Sequence, residues 1–165
     1  MLIEVERKLL DEFLLSGRQF ESAVAGLREE QLDLHSAPGE WSIRQIVHHV
    51  ADDGDVWCML IKHAIAQPGF ETVFGEFPGN EAWANGLETH RRGVHAALVL
   101  IQAHRAYLAE LLSHFSDAWE NTIVIRDAAG TASQPVSVGQ MVDMLAGHMR
   151  EHAASIRAIR EVNGA

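Results

Sequence analysis

His148 and His152 stand four residues apart in a stretch with helical periodicity, His148-Met149-Arg150-Glu151-His152. Side chains at i and i+4 leave a helix from the same face. They are separated by about 6 Å along the axis, close enough for two imidazoles to share one metal ion. The apolar stripe of this segment reads Met141, Leu145, His148, His152, Ile156, Ile159. The histidines thus take positions where apolar residues are expected, pointing into a core or toward its lip. Buried polar groups need partners. A divalent cation accepting a lone pair from each ring would supply them; hydrogen bonds to Asp53, Tyr107 or backbone groups are the alternative.

A third imidazole is available upstream. His48 and His49 lie in a run whose stripe is Ile43, Ile46, Val47, Val50, Trp57 and Ile61. His49 sits on the shoulder of that stripe, beside Val50 and three residues past Ile46, whereas His48 lies further round. Three imidazoles and a water would leave an open coordination position, the arrangement of catalytic rather than structural zinc. Asp52 and Asp53 follow within a turn. Asp53, at i+4 from His49, can serve as an acceptor behind a ligand, an extra ligand or a base. Glu151 faces away from the His148–His152 edge, so there is no HExxH metalloprotease motif. No CxxC pair, phosphate-binding glycine loop or serine elbow is present. His95 and His104 read as surface or structural residues.

These side chains need helices to carry them. Val5, Leu9, Phe13, Phe20, Val24 and Leu27 mark a first helix over residues 3–27. Ser42 with Gln45, and Ser137 with Gln140, form capping boxes, and Trp41 can staple onto Ile46. A second helix therefore begins at Ser42 and ends near Gln67, before Pro68-Gly69. Residues 69–85 form a linker with Phe70, Phe74, Phe77 and Trp83, broken by Gly75 and Pro78-Gly79. Such an aromatic linker packs back over the bundle, with a short helix over 81–87. A third long helix is expected over 88–114, and Ile123-Val124-Ile125 reads as an extended piece before Gly130. The last helix runs from Val138 to about Val162. Four long helices without a strand set indicate an all-α four-helix bundle in a single domain, 1–165. Periodicity alone leaves the topology open between up-down-up-down and a crossed arrangement.

The composition suits such a domain. Of 165 residues 47 % are hydrophobic, which supplies a core. The net charge of -10, with no basic stripe, argues against nucleic acid and anionic membrane as partners. The lone cysteine, Cys58, excludes an internal disulfide and reads as a small buried residue. No signal-peptide pattern opens the chain and no apolar run reaches membrane-spanning length, so a cytoplasmic protein is expected.

Trp-Ser-Ile-Arg-Gln-Ile-Val-His-His-Val-Ala-Asp (residues 41–52) and the late His148-x-x-x-His152 followed by Ile156 together resemble the DinB-like, or DinB/YfiT-like, superfamily of small four-helix-bundle metalloproteins. In that family a histidine eight residues after the tryptophan, here His49, joins the late pair as a metal ligand. The resemblance spans essentially the whole chain. It implies an up-down-down-up bundle, a divalent ion such as zinc or nickel on His49, His148 and His152, and a homodimer. It also implies a metal-dependent enzyme, either hydrolase-like or a thiol-dependent transferase using a low-molecular-weight thiol such as bacillithiol or mycothiol. Asp53 and Asp52 are then the residues placed to orient a ligand or relay a proton. An anionic thiol calls for cations near the pocket, where the second helix offers Arg44 and Lys62 and the linker is acidic. The contrasting reading is a non-catalytic stress-response or binding module with a structural metal.

Replacing His49, His148 or His152 by Ala is expected to weaken metal binding at least about tenfold, while His48→Ala leaves it unchanged. Titration calorimetry with zinc and nickel on tag-free protein checks this, and equal losses at His48 and His49 would refute the register.

Overall fold

Two serines decide where the site-bearing helices begin. Ser42 Oγ accepts the Gln45 backbone N–H at 3.3 Å, and Gln45 Oε1 accepts the Ser42 N–H at 2.9 Å. Ser137 and Gln140 repeat the exchange at 3.2 and 2.9 Å. Each box satisfies two backbone donors that a helix start otherwise leaves bare. In the computed structural model, which describes residues 2–73 and 80–165, the helices are α1 (Glu4–Val24), α2 (Ile43–Ala66), α3 (Glu81–Gly86), α4 (His95–His114) and α5 (Val138–Asn163). The expected packing of Phe74, Gly75, Phe77 and Pro78-Gly79 lies outside the described residues.

The core has two halves. Leu10 and Phe13 of α1, Leu60 and Ile61 of α2, Leu108 and Leu112 of α4, and Met141 and Val142 of α5 fill one. Phe20 of α1, Ile46 and Val47 of α2, Ala97 and Ile101 of α4, and Ile156 and Ile159 of α5 fill the other. Followed along the chain, α1 and α5 run from the first half to the second, and α2 and α4 run the opposite way. The topology is therefore up-down-down-up. α1 packs on α5 and α4, and α2 packs on α5 and α4. Because α2 and α4 run the same way, the chain between them must travel the length of the bundle, which explains the long connection. No helix among the described residues is long and apolar enough to cross a membrane.

Two features differ from the sequence expectation. α4 begins at His95, not Glu88. Glu88 adopts φ 49°, and Arg92 is extended. The Arg92 carbonyl is drawn onto α2, accepting from Arg44 Nη1 at 3.1 Å and lying 3.4 Å from His48 Nε2. That tether keeps residues 88–92 out of the helix. The second difference is a small sheet where no strand set was expected. β1 (Phe70–Val73) pairs in parallel with β2 (Thr122–Arg126), and β2 pairs antiparallel with β3 (Val136–Ser137). The Ile123-Val124-Ile125 triplet is extended as its β-branching favours, and Ile123 is fully buried in the first half of the core. The sheet ties the end of α2 to the start of α5.

Arg44 organises the opposite end. Its buried guanidinium donates to Asp33 Oδ1 at 2.7 Å, Glu29 Oε1 at 2.6 Å and the Glu29 carbonyl at 3.0 Å. It thereby fastens the 3₁₀ turn Glu29–Asp33 and the segment before α4 to the first turn of α2.

Ser137→Ala is expected to cost about 1 kcal/mol, lowering the melting temperature by about 2–4 °C for a chain of this size. Ser113→Ala, which removes only an exposed bond to the Ala109 carbonyl, leaves it unchanged. Differential scanning calorimetry of both variants checks the difference.

Candidate metal centre

Capping at Ser42 sets the rotational phase of α2 so that His49 faces the bundle, and the parallel course of α1 and α5 brings α5 across from it. His148 is the meeting point. Its Nε2 lies 3.2 Å from His49 Nε2 and 2.8 Å from His152 Nε2. One ligand atom from each of the three rings falls within 4.8 Å of the others. The rings meet nearly at right angles: 81° for His49–His148, 76° for His49–His152 and 82° for His148–His152. Edge-on rings direct nitrogen lone pairs toward a common point.

Burial dominates the electrostatics. It lowers His49 to about 4, with the neighbouring charge of His148 adding to the effect. It lowers His152 to about 3, with His148 and then His49 contributing. His148 is lowered as well, by burial first, while Glu151 opposes the shift. All three rings are therefore neutral at pH 7, the state in which imidazole binds metal. One proton can bridge a pair of nitrogens, but three neutral rings converging on one point leave lone pairs facing each other. A divalent cation resolves that repulsion, so the residues fit the ion that such a donor set takes.

Asp53 stands behind the cluster. Its Oδ2 is 3.1 Å from His148 Nδ1 and 3.9 Å from His49 Nε2. The shorter contact places a carboxylate on the far nitrogen of a ligand-bearing ring, the arrangement that fixes tautomer and ring orientation at metal sites. Burial, then the charge of Asp52, pushes the Asp53 carboxyl up to about 7. Asp52 turns elsewhere and accepts the indole N–H of Trp83 at 2.9 Å, which ties α3 to α2 beside the site. Trp41 stands edge-on to His49, with ring centroids 5.0 Å apart. It reaches beyond the apolar staple read from sequence, although it still packs on the cluster that contains Ile46.

Other expectations resolve plainly. His48 is buried but turns to the Arg92 carbonyl, away from the trio. Tyr107, a candidate partner for the core histidines, is 52 % exposed and lies under Lys62. Cys58 is buried, and burial pushes its thiol up to about 12. His104, read as surface or structural, is half-buried and pairs with Asp55 at 3.0 Å, and with Arg105, Asp53 and His148 it borders a cavity. One signal for Arg105 was available: it occupies the i+4 place after Ile101 and three before Leu108, inside an apolar stripe.

The imidazole shifts set a pH dependence for the metal-free protein. His48, His49, His104, His148 and His152 all sit below their ordinary value in the fold. Between about 6.5 and 4 the unfolded chain takes up protons that the folded chain refuses, so stability falls as pH falls through that window. Asp53 has the opposite sign, because its raised pKa makes the folded state the better proton binder between about 4 and 7. Five rings outweigh one carboxyl. The metal-free melting temperature is expected to drop continuously from pH 6.5 to 4; a flat or rising profile by calorimetry would contradict the burial of these rings.

Comparison with known proteins agrees with this geometry. A protein of Geobacillus kaustophilus named "Putative metal-dependent hydrolase" is 28 % identical over 144 residues, covering 87 % of this chain and 77 % of that protein. One of the same description from Oceanobacillus iheyensis is 28 % identical over 142 residues, covering 86 % and 78 %. Among solved structures, YfiT of Bacillus subtilis, described as a probable metal-dependent hydrolase with an unusual four-helix bundle topology, superposes with a TM-score of 0.82 at 17 % identity. The match covers 99 % of this chain and 90 % of that one. A mycothiol-dependent maleylpyruvate isomerase gives 0.68 at 16 % identity over 92 % of this chain, which spans 60 % of that longer protein. At these identities the structural likenesses establish the fold. The family model of the DinB superfamily matches residues 12–156, and with its signature histidines converging on one point the chain belongs to that superfamily.

Proposed function

We propose that the protein is a metal-dependent hydrolase whose ion, zinc or nickel, is held by His49, His148 and His152. One observation carries the reading: three half-buried, neutral imidazoles converge while His148 is contacted by Asp53 and still keeps 28 % of its side-chain surface exposed. A closed structural site would bury its ligands; this one leaves an approach. Three imidazoles leave room for an exchangeable fourth position, and the bound ion would supply Lewis acidity there.

The chain's own residues supply the rest. Asp53 accepts the Nδ1 proton of His148 and so presents its Nε2 lone pair inward. Held near neutrality by burial, the Asp53 carboxyl is suited to keep or pass a proton beside the ion. Asp52 adds negative charge next to it and anchors Trp83, orienting α3 at the edge of the site. Trp41 walls the His49 side.

Hydrolysis is favoured over thiol transfer because the cations of α2 are already engaged. Arg44 is held by Asp33 and Glu29, and Lys62 lies 5.8 Å above the Tyr107 ring. An anionic thiol would find Arg44 already committed to its carboxylates. The relatives' naming as metal-dependent hydrolases points the same way. The second reading, a transferase using a low-molecular-weight thiol, draws on the fold shared with a mycothiol-dependent isomerase. A cytoplasmic homodimer completes the proposal, on the family resemblance; light scattering tests the dimer.

Metal-loaded protein should hydrolyse activated esters or amides without added thiol. Turnover only with mycothiol or bacillithiol present would support the transferase instead, and tight metal binding without turnover on either panel would support a structural metal. Asp53→Asn is expected to weaken metal affinity or activity by about 10–100-fold, with Asp52→Asn smaller. Competition with a chromophoric chelator reads the affinity arm.

A further inference from the structure

Arg105 is a buried charge with no part in the proposed reaction. It lies on α4 with 7 % of its surface exposed. Among the described residues no carboxylate pairs with it, and burial brings it down only to about 10, so it is a cation at pH 7. Taking an ion out of water without a counter-ion is costly. An apolar side chain would continue the stripe between Ile101 and Leu108 without that cost. A stripe position that keeps a cation calls for a reason.

Its partners supply one. The guanidinium stacks 4.0 Å from the centroid of the Phe13 ring, and Nη1 donates to the Phe13 carbonyl and, at 2.8 Å, to Ser16 Oγ, all on α1. Nη2 donates to the Leu145 carbonyl of α5 at 3.1 Å. Both carbonyls lie inside helices, where each already accepts the amide N–H four residues on. The bonds therefore rescue no orphaned carbonyl; they tie three helices together at one point. On α1 the arm passes Gly17, where a Cβ would stand 3.3 Å from Arg105 Cδ.

Leu145 stands three residues before His148, on the same face of α5. Helix carbonyls point toward the C-terminal end, so the Arg105 fork lies beside the turn that presents His148. Arg105, Leu145 and His148 accordingly border one cavity. That turn contains Gly147, and glycine is the poorest helix former after proline. Packing does not demand it, because a Cβ there would meet Arg150 Nη2 at 3.8 Å, an ordinary contact. His148 is also the ring that touches both other ligands, at 3.2 and 2.8 Å, so any give in its turn opens the cluster. We infer that Arg105 is a positioning residue of the metal centre: its bond to the Leu145 carbonyl braces the glycine-weakened turn of α5 and holds His148 where it meets His49 and His152. The inference rests on the metal-binding reading of those histidines. Asp53 orients the His148 ring from α2, and Arg105 holds the backbone that carries it.

Zinc affinity of the tag-free full chain, read by competition with a chromophoric chelator, tests this. Arg105→Met and Arg105→Lys, each with native circular dichroism, are expected to bind zinc about tenfold more weakly. The lysine falls with the methionine because a point charge does not span two helices as the planar fork does. Gly147→Ala alone stays within about twofold of the parent, but in the Arg105→Met background it recovers at least about threefold. That rescue separates a braced turn from a general loss of packing, since alanine at 147 restores no contact of Arg105. Parent affinity in either Arg105 variant, or no recovery with Gly147→Ala, overturns the role. Should neither Arg105 variant fold, Gly17→Ala decides alone. It favours the helix while crowding the arm at Cδ, and is expected to weaken zinc binding about threefold; parent affinity there overturns the inference. A parent that binds no zinc refutes the metal centre itself, whereas a parent that binds it as tightly as the variants refutes the part of Arg105 alone.

Discussion

Three imidazoles placed tip to tip inside a protein cannot all be protonated, and when neutral they present lone pairs to one another. Everything near His148 follows from that constraint. Burial depresses the pKa of each ring and keeps it neutral, which removes charge repulsion but leaves the lone pairs unsatisfied. A divalent cation satisfies them together. Asp53 contributes by taking the outward proton of His148, which fixes the tautomer that points Nε2 inward. The price is stability in the metal-free state, where half-buried rings and a half-buried carboxyl face one another.

The bundle is arranged to hold this point steady. α2 carries His49 and Asp53, α5 carries His148 and His152, and the two helices run in opposite directions against each other. Both are phased at their first turn by a serine capping box, and a box places side chains at fixed angles further along the helix. Arg44 secures the first turn of α2 by drawing in Asp33, Glu29 and the Arg92 carbonyl. The small sheet secures the other end, joining the last turn of α2 to the entry of α5. Ligand positions are thus set by rigid helices clamped at both ends rather than by loops.

Much of this was legible in the sequence because it depends on local spacing. Ser42–Gln45 and Ser137–Gln140 give helix starts through contacts three residues apart. His148 and His152 share a face because of the helical repeat, and their place in an apolar stripe marks them as inward. What escaped was non-local. α4 does not start at Glu88 because a carbonyl captured by Arg44, 48 residues away, holds Arg92 extended and keeps the short 3₁₀ turn Thr89–Arg91 apart from the helix. The β1–β2 pairing joins segments more than 50 residues apart. His104 read only as surface or structural, because its contacts, the Asp55 carboxylate and the bare face of Gly54, both lie on another helix.

By itself, then, the sequence determined the helices, their caps, the paired histidines and the acidic, single-cysteine composition, since each is a matter of neighbours along the chain. The tertiary structure decided which ring faces which. It set the distances at which His49 meets the late pair, put Asp53 behind His148 and turned Asp52 to Trp83. These choices depend on the direction and rotation of α2 against α5, which are settled by the packing of both halves of the core at once and by no single stretch of residues.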